Sequence, residues 1–193
     1  ESDVYTDSIV PGYYRRSKNW DVVAMHKGHL VAVAELKSQA SSPGNNANNR
    51  VEEALGSSTC LRRAGLAGLY PAEPPWTGYL FVMEDAPGSR SPVRVPIGAL
   101  RTDPAWEGQS YQGRFGITLK RLLDEGIYDS VCYLLSSPQN PDPQEPVAAL
   151  NWAHFAASVR ARIHYMAELG YLSRGDAPRA DLMWSPGESP SGA

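Results

Sequence analysis

The sequence predicts an α/β domain: a sheet of short strands covered by helices on its faces. Short apolar runs alternate along the chain with stretches of helical periodicity, the order expected when strands are linked by helices that cross the sheet. The runs are nearly continuous in apolar character, as in strands buried on both faces. A chain of 193 residues, 42% hydrophobic and 20% charged, also has the size and composition of one globular domain. Such a domain buries roughly 70% of the surface its unfolded chain exposes, so it needs no staple.

Residues 1–19 read as a polar lead with a turn at Pro11-Gly12. Val22–His26 and Leu30–Leu36 are two strands, with a hairpin signal at Lys27-Gly28 between them. Ser41–Asn49 reads as a polar Gly/Asn loop. From Asn49 to Arg63, Val51, Ala54, Leu55 and Ser58 fall at the spacing of a helix face. Tyr79–Met83 is a buried strand, followed by a Pro/Gly-rich excursion to Ser110. Arg114–Glu125 is a helix striped by Phe115, Leu119, Leu122 and Leu123, and Val131–Leu135 is a short strand. Trp152–Leu169 is the most regular helix, with Phe155, Val159, Ile163 and Met166 on one face. Beyond Ser173 the Pro, Gly and Ser content rises and predicts a loose tail. The domain therefore spans residues 1–172, and the tail 173–193.

Two cysteines, Cys60 and Cys132, make no disulfide framework, and no Cys/His spacing suggests zinc. A reduced compartment follows, the cytoplasm. No apolar run approaches the roughly 18 residues of a membrane span, so no membrane partner is expected. The chain opens at Glu1 without methionine, as a processed or truncated product does. A net charge of -3 argues against coating nucleic acid by bulk charge. It does not exclude a nuclease, whose acidic site offsets a basic groove.

The chemistry concentrates in "NWDVVAMHKGHLVAVAELKSQ", residues 19–39. Alternation places Val31, Val33, Glu35 and Lys37 on one face of the second strand and Leu30, Ala32, Ala34 and Leu36 on the other. A carboxylate carried out of a core in this way requires a partner, a metal or water. Asp21 supplies part of that partnership if the hairpin register allows. A three-residue loop at 27–29 sets residue 21 against Glu35, whereas a two-residue Lys-Gly loop sets it against Ala34 and parts the carboxylates. An odd loop or a bulge is therefore predicted. Convergent carboxylates of this kind are hard oxygen ligands that suit Mg²⁺ beside a phosphate, and Lys37 can orient water or offset phosphate charge. On spacing alone, an acid at a strand end followed by lysine also serves as solvated surface charge.

Extended through its neighbours, the signal becomes specific. "PGYYRRSKNWD" (11–21), "ELKSQ" (35–39) and "GNNANNRVEEALGS" (44–57), followed by "PWTGYL" (75–80), "EDAPGS" (84–89), "SYQGR" (110–114) and "YDSVCYLLS" (128–136), resemble the XhoI-like type II restriction endonucleases. The likeness runs in order over about residues 9–160. It implies the PD-(D/E)XK restriction-endonuclease-like fold, a mixed central sheet flanked by helices. It also implies Mg²⁺-dependent cleavage of double-stranded DNA in a bacterial cytoplasm, and a homodimer matched to a palindrome such as CTCGAG. Carried over by position, Asp21 and Glu35 are the two acids and Lys37 the lysine, with the Leu36 backbone carbonyl as a further metal ligand. Asn19-Trp20 stands where proline often precedes the first acid, and members of the family carry more residues before "PGYY".

Around this motif the candidate DNA contacts are Gln39, Asn45, Asn46, Asn48, Asn49, Arg50, Arg15, Arg16 and Lys18. Asparagine bonds adenine bidentately and arginine bonds guanine or phosphate, although Asn and Gly equally build turns and caps. Gln39 shares the face of Glu35, and a water-facing role is its alternative. Of Glu52 and Glu53, Glu52 lies nearer the Val51 stripe and is the candidate additional acid. Tyr13 and Tyr14 are expected to pack beneath the sheet, and the four histidines carry no ligand spacing. A junction-resolving or repair nuclease and an inactive DNA-binding module are the competing readings. A glycosidase leaves Lys37 and the Asn/Arg segment without a role.

Overall fold

The structure, a computed structural model, describes residues 2–40, 43–71, 73–96 and 98–172. Six strands run in the order β1 (Ser2–Pro11), β2 (Ser17–His26), β3 (His29–Gln39), β4 (Trp76–Glu84), β5 (Ser130–Ser137) and β6 (Asn140–Gln144), each beside the next. The sheet is mixed: β3, β4 and β5 are parallel, and β1, β2 and β6 join antiparallel. Four helices accompany it, α1 (Pro43–Leu66), α2 (Pro87–Arg90), α3 (Tyr111–Asp124) and α4 (Trp152–Glu168). The expected α/β architecture is present, and the predicted tail 173–193 lies outside the described residues.

The connections β3–α1–β4 and β4–α3–β5 step the same way across the sheet. Parallel crossovers share a right hand, so both helices fall on one face. Ala54, Leu61 and Ala64 of α1 and Phe115, Leu119 and Leu122 of α3 bury there with Val33, Phe81, Met83, Val131 and Tyr133. The opposite face is covered by α4, whose Phe155 packs with Trp76 and Cys132 and whose Met166 packs with Val31. Ser110 caps α3 by accepting the Gly113 N–H at 3.2 Å, and Asn151 caps α4 by accepting that of His154 at 2.8 Å. Among the described residues, no helix is long and apolar enough to cross a membrane.

The hairpin register turns on one residue. Lys27 and Gly28 close it at φ 47° and 81°, the positive values of a two-residue turn matched to strand twist. His26 pairs with His29 and Met25 with Leu30, but Ala24 pairs with Ala32. Val31 is thus the extra residue of a β-bulge. From there Val22 pairs with Ala34, and Asp21 comes level with Glu35. The short turn alone would have parted them; the bulge restores the match. It also corrects the expected faces. Leu30 joins Val33 in the α1/α3 core, while Val31 and Ala32 lie together under α4.

Several expected loops are ordered elements. The polar lead contains β1, an edge strand with Val4, Tyr5 and Ile9 exposed and, among its described side chains, only Val10 buried. With one neighbour and little burial, its residues carry no strong apolar pattern. The expected loop over residues 43–49 is the beginning of α1. Proline is tolerated in a first helical turn, and Gly44 is needed because any side chain there would strike the Tyr111 hydroxyl. β6 contains Pro141 and Pro143, a composition that sheets accept only at an edge.

Phe81 anchors the α1/α3 core, fully buried and stacked on Phe115 with ring centroids 4.5 Å apart. Phe81→Ala should lower unfolding stability by about 3–5 kcal/mol, read as a shift in the urea midpoint. A loss under ~1 kcal/mol would show that this ring does not organise the core.

Candidate active site

β2 and β3 part at Asp21. The Asp21 Oδ2 accepts the Leu36 N–H at 2.7 Å and the Lys37 ammonium at 3.0 Å. A side chain thus takes the position that a β2 carbonyl would fill in a continued ladder. Glu35, on the neighbouring strand, is 2% exposed. Its oxygens are ion-paired with Lys37 at 2.6 Å and with Lys18 of β2. Apart from these ammonium groups, no donor bonds either oxygen among the described residues. One ammonium, that of Lys37, therefore reaches both Asp21 and Glu35.

The electrostatics follow from these contacts. Burial pushes the Asp21 carboxyl up, but the Leu36 N–H and the Lys37 ammonium outweigh it and hold it below the usual carboxylate range. Burial likewise pulls Lys37 down, and its bonds to Glu35 and Asp21 win and raise it above the ordinary lysine value. Both groups stay charged at neutral pH.

A cavity of about 340 Å³ opens over this cluster, lined by Arg15, Lys18, Glu35, Lys37, Arg50, Glu53, Ala54, Ser57 and Tyr79. Larger hollows lie away from the carboxylates, among residues 92–108 and between α1 and α4. The smaller one is the candidate site, because there the buried Glu35 meets Lys18, Lys37 and the two arginines. Arg50, Glu53, Ala54 and Ser57 recur at helical spacing, so one face of α1 supplies the cavity's roof. Glu53 is paired with Arg50 at 3.0 Å. Glu52 instead lines a separate hollow with Asn48, Trp106, Tyr111 and Arg114. Of the two acids it is Glu53 that borders this cavity: the stripe facing it begins at Arg50, one residue before the one read from Val51.

Cys60 of α1 holds the turn that carries Arg15. Its thiol accepts the Tyr13 N–H at 3.2 Å and the Tyr14 N–H at 3.4 Å. Burial opposes ionisation, but these donors carry the thiol below its usual range. Gly12 makes the approach possible, since a Cβ there would lie 2.9 Å from the Cys60 Sγ. Arg15 then donates to the Ser57 hydroxyl at 3.3 Å. Cys132 is the contrary case, sealed in the core with its thiol pushed up to about 12 by burial.

Of the expected DNA contacts, Arg15, Lys18 and Arg50 line the cavity, with Lys18 turned inward onto Glu35. Arg16 and Asn49 are exposed, and Asn48 is exposed at the α1–α3 hollow. Asn45 and Asn46 lie on α1, with side chains outside the described set. Gln39 is 6% exposed, so the water-facing alternative fails. Tyr13 and Tyr14 are 45% and 70% exposed rather than packed beneath the sheet. They occupy the bend between β1 and β2, edge to face with each other, and Arg63 covers the Tyr13 ring. Sequence reasoning missed Ser57 and Tyr79, and the signal for Ser57 was the Arg50 stripe.

Among the described residues no cluster of three or more His, Cys, Asp or Glu gathers to cage a metal. Two carboxylates with unfilled lone pairs at Glu35 do fit Mg²⁺, which is commonly held by one or two carboxylates and otherwise keeps waters and substrate phosphates.

The family model described as "Restriction endonuclease XhoI" matches residues 1–145. The chain belongs to that family. The Type II restriction enzyme BstVI of Geobacillus stearothermophilus is 37% identical over 137 residues, 67% of this chain and 61% of that enzyme. The Type II restriction enzyme XhoI of Xanthomonas vasicola is 40% identical over 120 residues, 61% of this chain and 48% of its own length. The Type II restriction enzyme AbrI of Azospirillum brasilense is 45% identical over 82 residues, 42% of this chain and 37% of that enzyme. The chain thus spans between about a third and three-fifths of these relatives. No solved structure matches. The mixed six-stranded sheet flanked by helices is compatible with a restriction-endonuclease-like fold.

The lowered Asp21 carboxyl fixes a pH dependence. A depressed carboxyl stabilises the fold fully above its unfolded value of about 3.9 and loses that contribution as pH falls through the lower folded value. The gap in urea midpoint between the native chain and Asp21→Asn should therefore be widest near neutrality and close below about pH 4. A gap that widens on acidification would contradict the Leu36 and Lys37 bonds.

Proposed function

We propose that this chain is a Mg²⁺-dependent type II site-specific deoxyribonuclease of PD-(D/E)XK type that cuts both strands of DNA. Residues 1–172 form the nuclease domain, working as a homodimer at a palindrome such as CTCGAG in the bacterial cytoplasm. The observation that carries the reading is the convergence of Asp21, Glu35 and Lys37 at the point where β2 and β3 part. Membership of a family whose relatives are named type II restriction enzymes supports the substrate and the reaction class.

In this reading Asp21, Glu35 and the Leu36 carbonyl would hold the ion. The Leu36 N–H points at Asp21, and the carbonyl of a strand residue leaves along the same edge as its N–H. Mg²⁺ supplies Lewis-acid chemistry, polarising a phosphoryl oxygen and making water acidic near neutral pH. Lys37, fixed between the two acids, orients the attacking water and offsets charge growing on the phosphate. Arg15 and Arg50 border the same cavity, where guanidinium groups bind phosphate bidentately. Glu53 steadies Arg50 through their ion pair. Asn48, Asn49 and Arg16 are exposed and serve as outer contacts to the duplex. A homodimer follows from a palindrome, whose two-fold axis a symmetric pair of sites would share.

The test is cleavage of plasmid DNA in Mg²⁺ followed by sequencing of the ends. Discrete fragments with one shared terminal sequence are expected. A smear, or cutting only at branched DNA, supports a repair nuclease instead, and binding without cutting supports an inactive module. Glu35→Ala should reduce cleavage by roughly 10²-fold or more while leaving DNA binding in Ca²⁺. Undiminished cleavage by that variant discards the site. Sedimentation with and without the cut sequence should report a dimer.

A further inference from the structure

Lys18 lies outside the acidic motif, yet its ammonium pairs with one Glu35 oxygen while Lys37 pairs with the other. One buried negative charge thus faces two ammonium groups. The two lysines are not equivalent. Lys37 belongs to the same strand as Glu35 and also binds Asp21 at 3.0 Å. Lys18 reaches across from β2, and Glu35 is its acidic partner among the described residues. Its remaining contacts are a bond to the Asn19 carbonyl at 3.0 Å and the Trp20 ring at 4.8 Å.

Apart from these two ammonium groups, no donor bonds the Glu35 oxygens among the described residues. A carboxylate offers about four lone-pair positions, so these oxygens are neutralised without being saturated. The positions left over are open to a cation that could take the place of an ammonium. A divalent ion arriving at Glu35 would meet two positive groups there. Lys18, held by one acid where Lys37 is held by two and carried on a flexible four-carbon stem, is the one more readily exchanged. The cavity it would enter is bordered by Arg15 and Arg50, where a phosphate would receive it.

We infer that Lys18 is a built-in stand-in for the divalent cation, so that metal binding and release of Lys18 from Glu35 are one linked event. The inference rests on the metal-dependent reading above and deepens it. Before substrate arrives, Lys18 covers the buried acid and keeps the site tolerable without metal. When DNA arrives, its phosphate draws Lys18 outward and metal affinity rises. Linkage makes the effect reciprocal: bound metal frees a cation for the phosphate. Lys18 is thus a positioning residue that couples substrate binding to metal binding.

The test is Ca²⁺ binding to the DNA-free protein by calorimetry. Lys18→Met keeps the stem over Trp20 without the charge, and Lys18→Gln keeps a donor toward Glu35 as a milder alternative. Either variant, shown folded by its melting curve, should bind Ca²⁺ roughly tenfold tighter than the native chain, within the usual range of such couplings. Glu35→Gln should abolish the binding. In the unaltered protein, Ca²⁺ should also make Lys18 more reactive toward reductive methylation, read by mass spectrometry. Equal affinity in all forms, binding by none, or unchanged Lys18 reactivity overturns the inference. Plasmid cleavage in Mg²⁺ decides the functional reading separately. Cleavage with equal Ca²⁺ affinities sinks only the role of Lys18, and absence of DNA cutting leaves the Ca²⁺ comparison to decide that role alone.

Discussion

Glu35 carries a carboxylate to a place where it is 2% exposed, and the surrounding structure can be read as the response to that charge. A lone buried carboxylate is expensive enough that it must be paired or neutralised. Lys37 is on the same strand, two residues away, and faces the same side. Asp21 reaches the cluster only through the hairpin register, and that register depends on the extra residue Val31. The bulge is therefore what assembles the cluster, since it re-aims side chains without altering the turn. Asp21 then ends the ladder by taking the Leu36 N–H for itself. The β2–β3 pairing ends there, beside the cavity that Glu35 and Lys37 line.

The sheet topology brings the rest of the site to this cavity. In open sheets of parallel strands, ligands bind outside the carboxyl ends of the strands, and Glu35 to Gln39 form that end of β3. The crossover leaving β3 returns through α1, so its first turns lie over the strand end they have just left. Arg50, Glu53 and Ser57 reach the cavity for that reason. The bend between β1 and β2 brings Arg15 from the other side, held by Cys60 and admitted by Gly12. Three separate segments thus meet over one acid.

This division explains what the sequence disclosed. The parallel strands and the helices between them were legible because burial on both faces leaves continuous apolar runs, as in Leu30–Leu36 and Val131–Leu135. The edge strands were not, because an edge residue such as Ile9, 71% exposed, gains little from being apolar. The start of α1 was hidden by Gly44, whose presence answers the Tyr111 hydroxyl rather than a turn. In the site, Asp21, Glu35 and Lys37 could be named from spacing and resemblance, and the need for an odd loop or bulge followed from pleat geometry alone. Which residue bulged was not accessible, since Leu30, Val31 and Ala32 are similar in size and polarity. Glu52 was preferred to Glu53 because an apolar stripe was followed, whereas the face toward the site is partly ionic and begins at Arg50.

Global charge is a poor guide to this protein for the same reason. The chain carries a net charge of -3, yet its central cavity is lined by Arg15, Lys18, Lys37 and Arg50 against Glu35 and Glu53. A low-dielectric cleft focuses such a field on whatever enters it, so the local excess of cations governs a phosphate more than distant surface acids do. A nuclease of the proposed kind would face a conflict, because the same acids would have to attract a metal while the same cations attracted DNA. If every cation were fixed on the carboxylates, metal would be excluded; if none were, the empty site would be an unbalanced buried charge. Dividing the task between Lys37, anchored to two acids, and Lys18, anchored to one, resolves it. One ammonium stays with the chemistry, and the other is exchangeable.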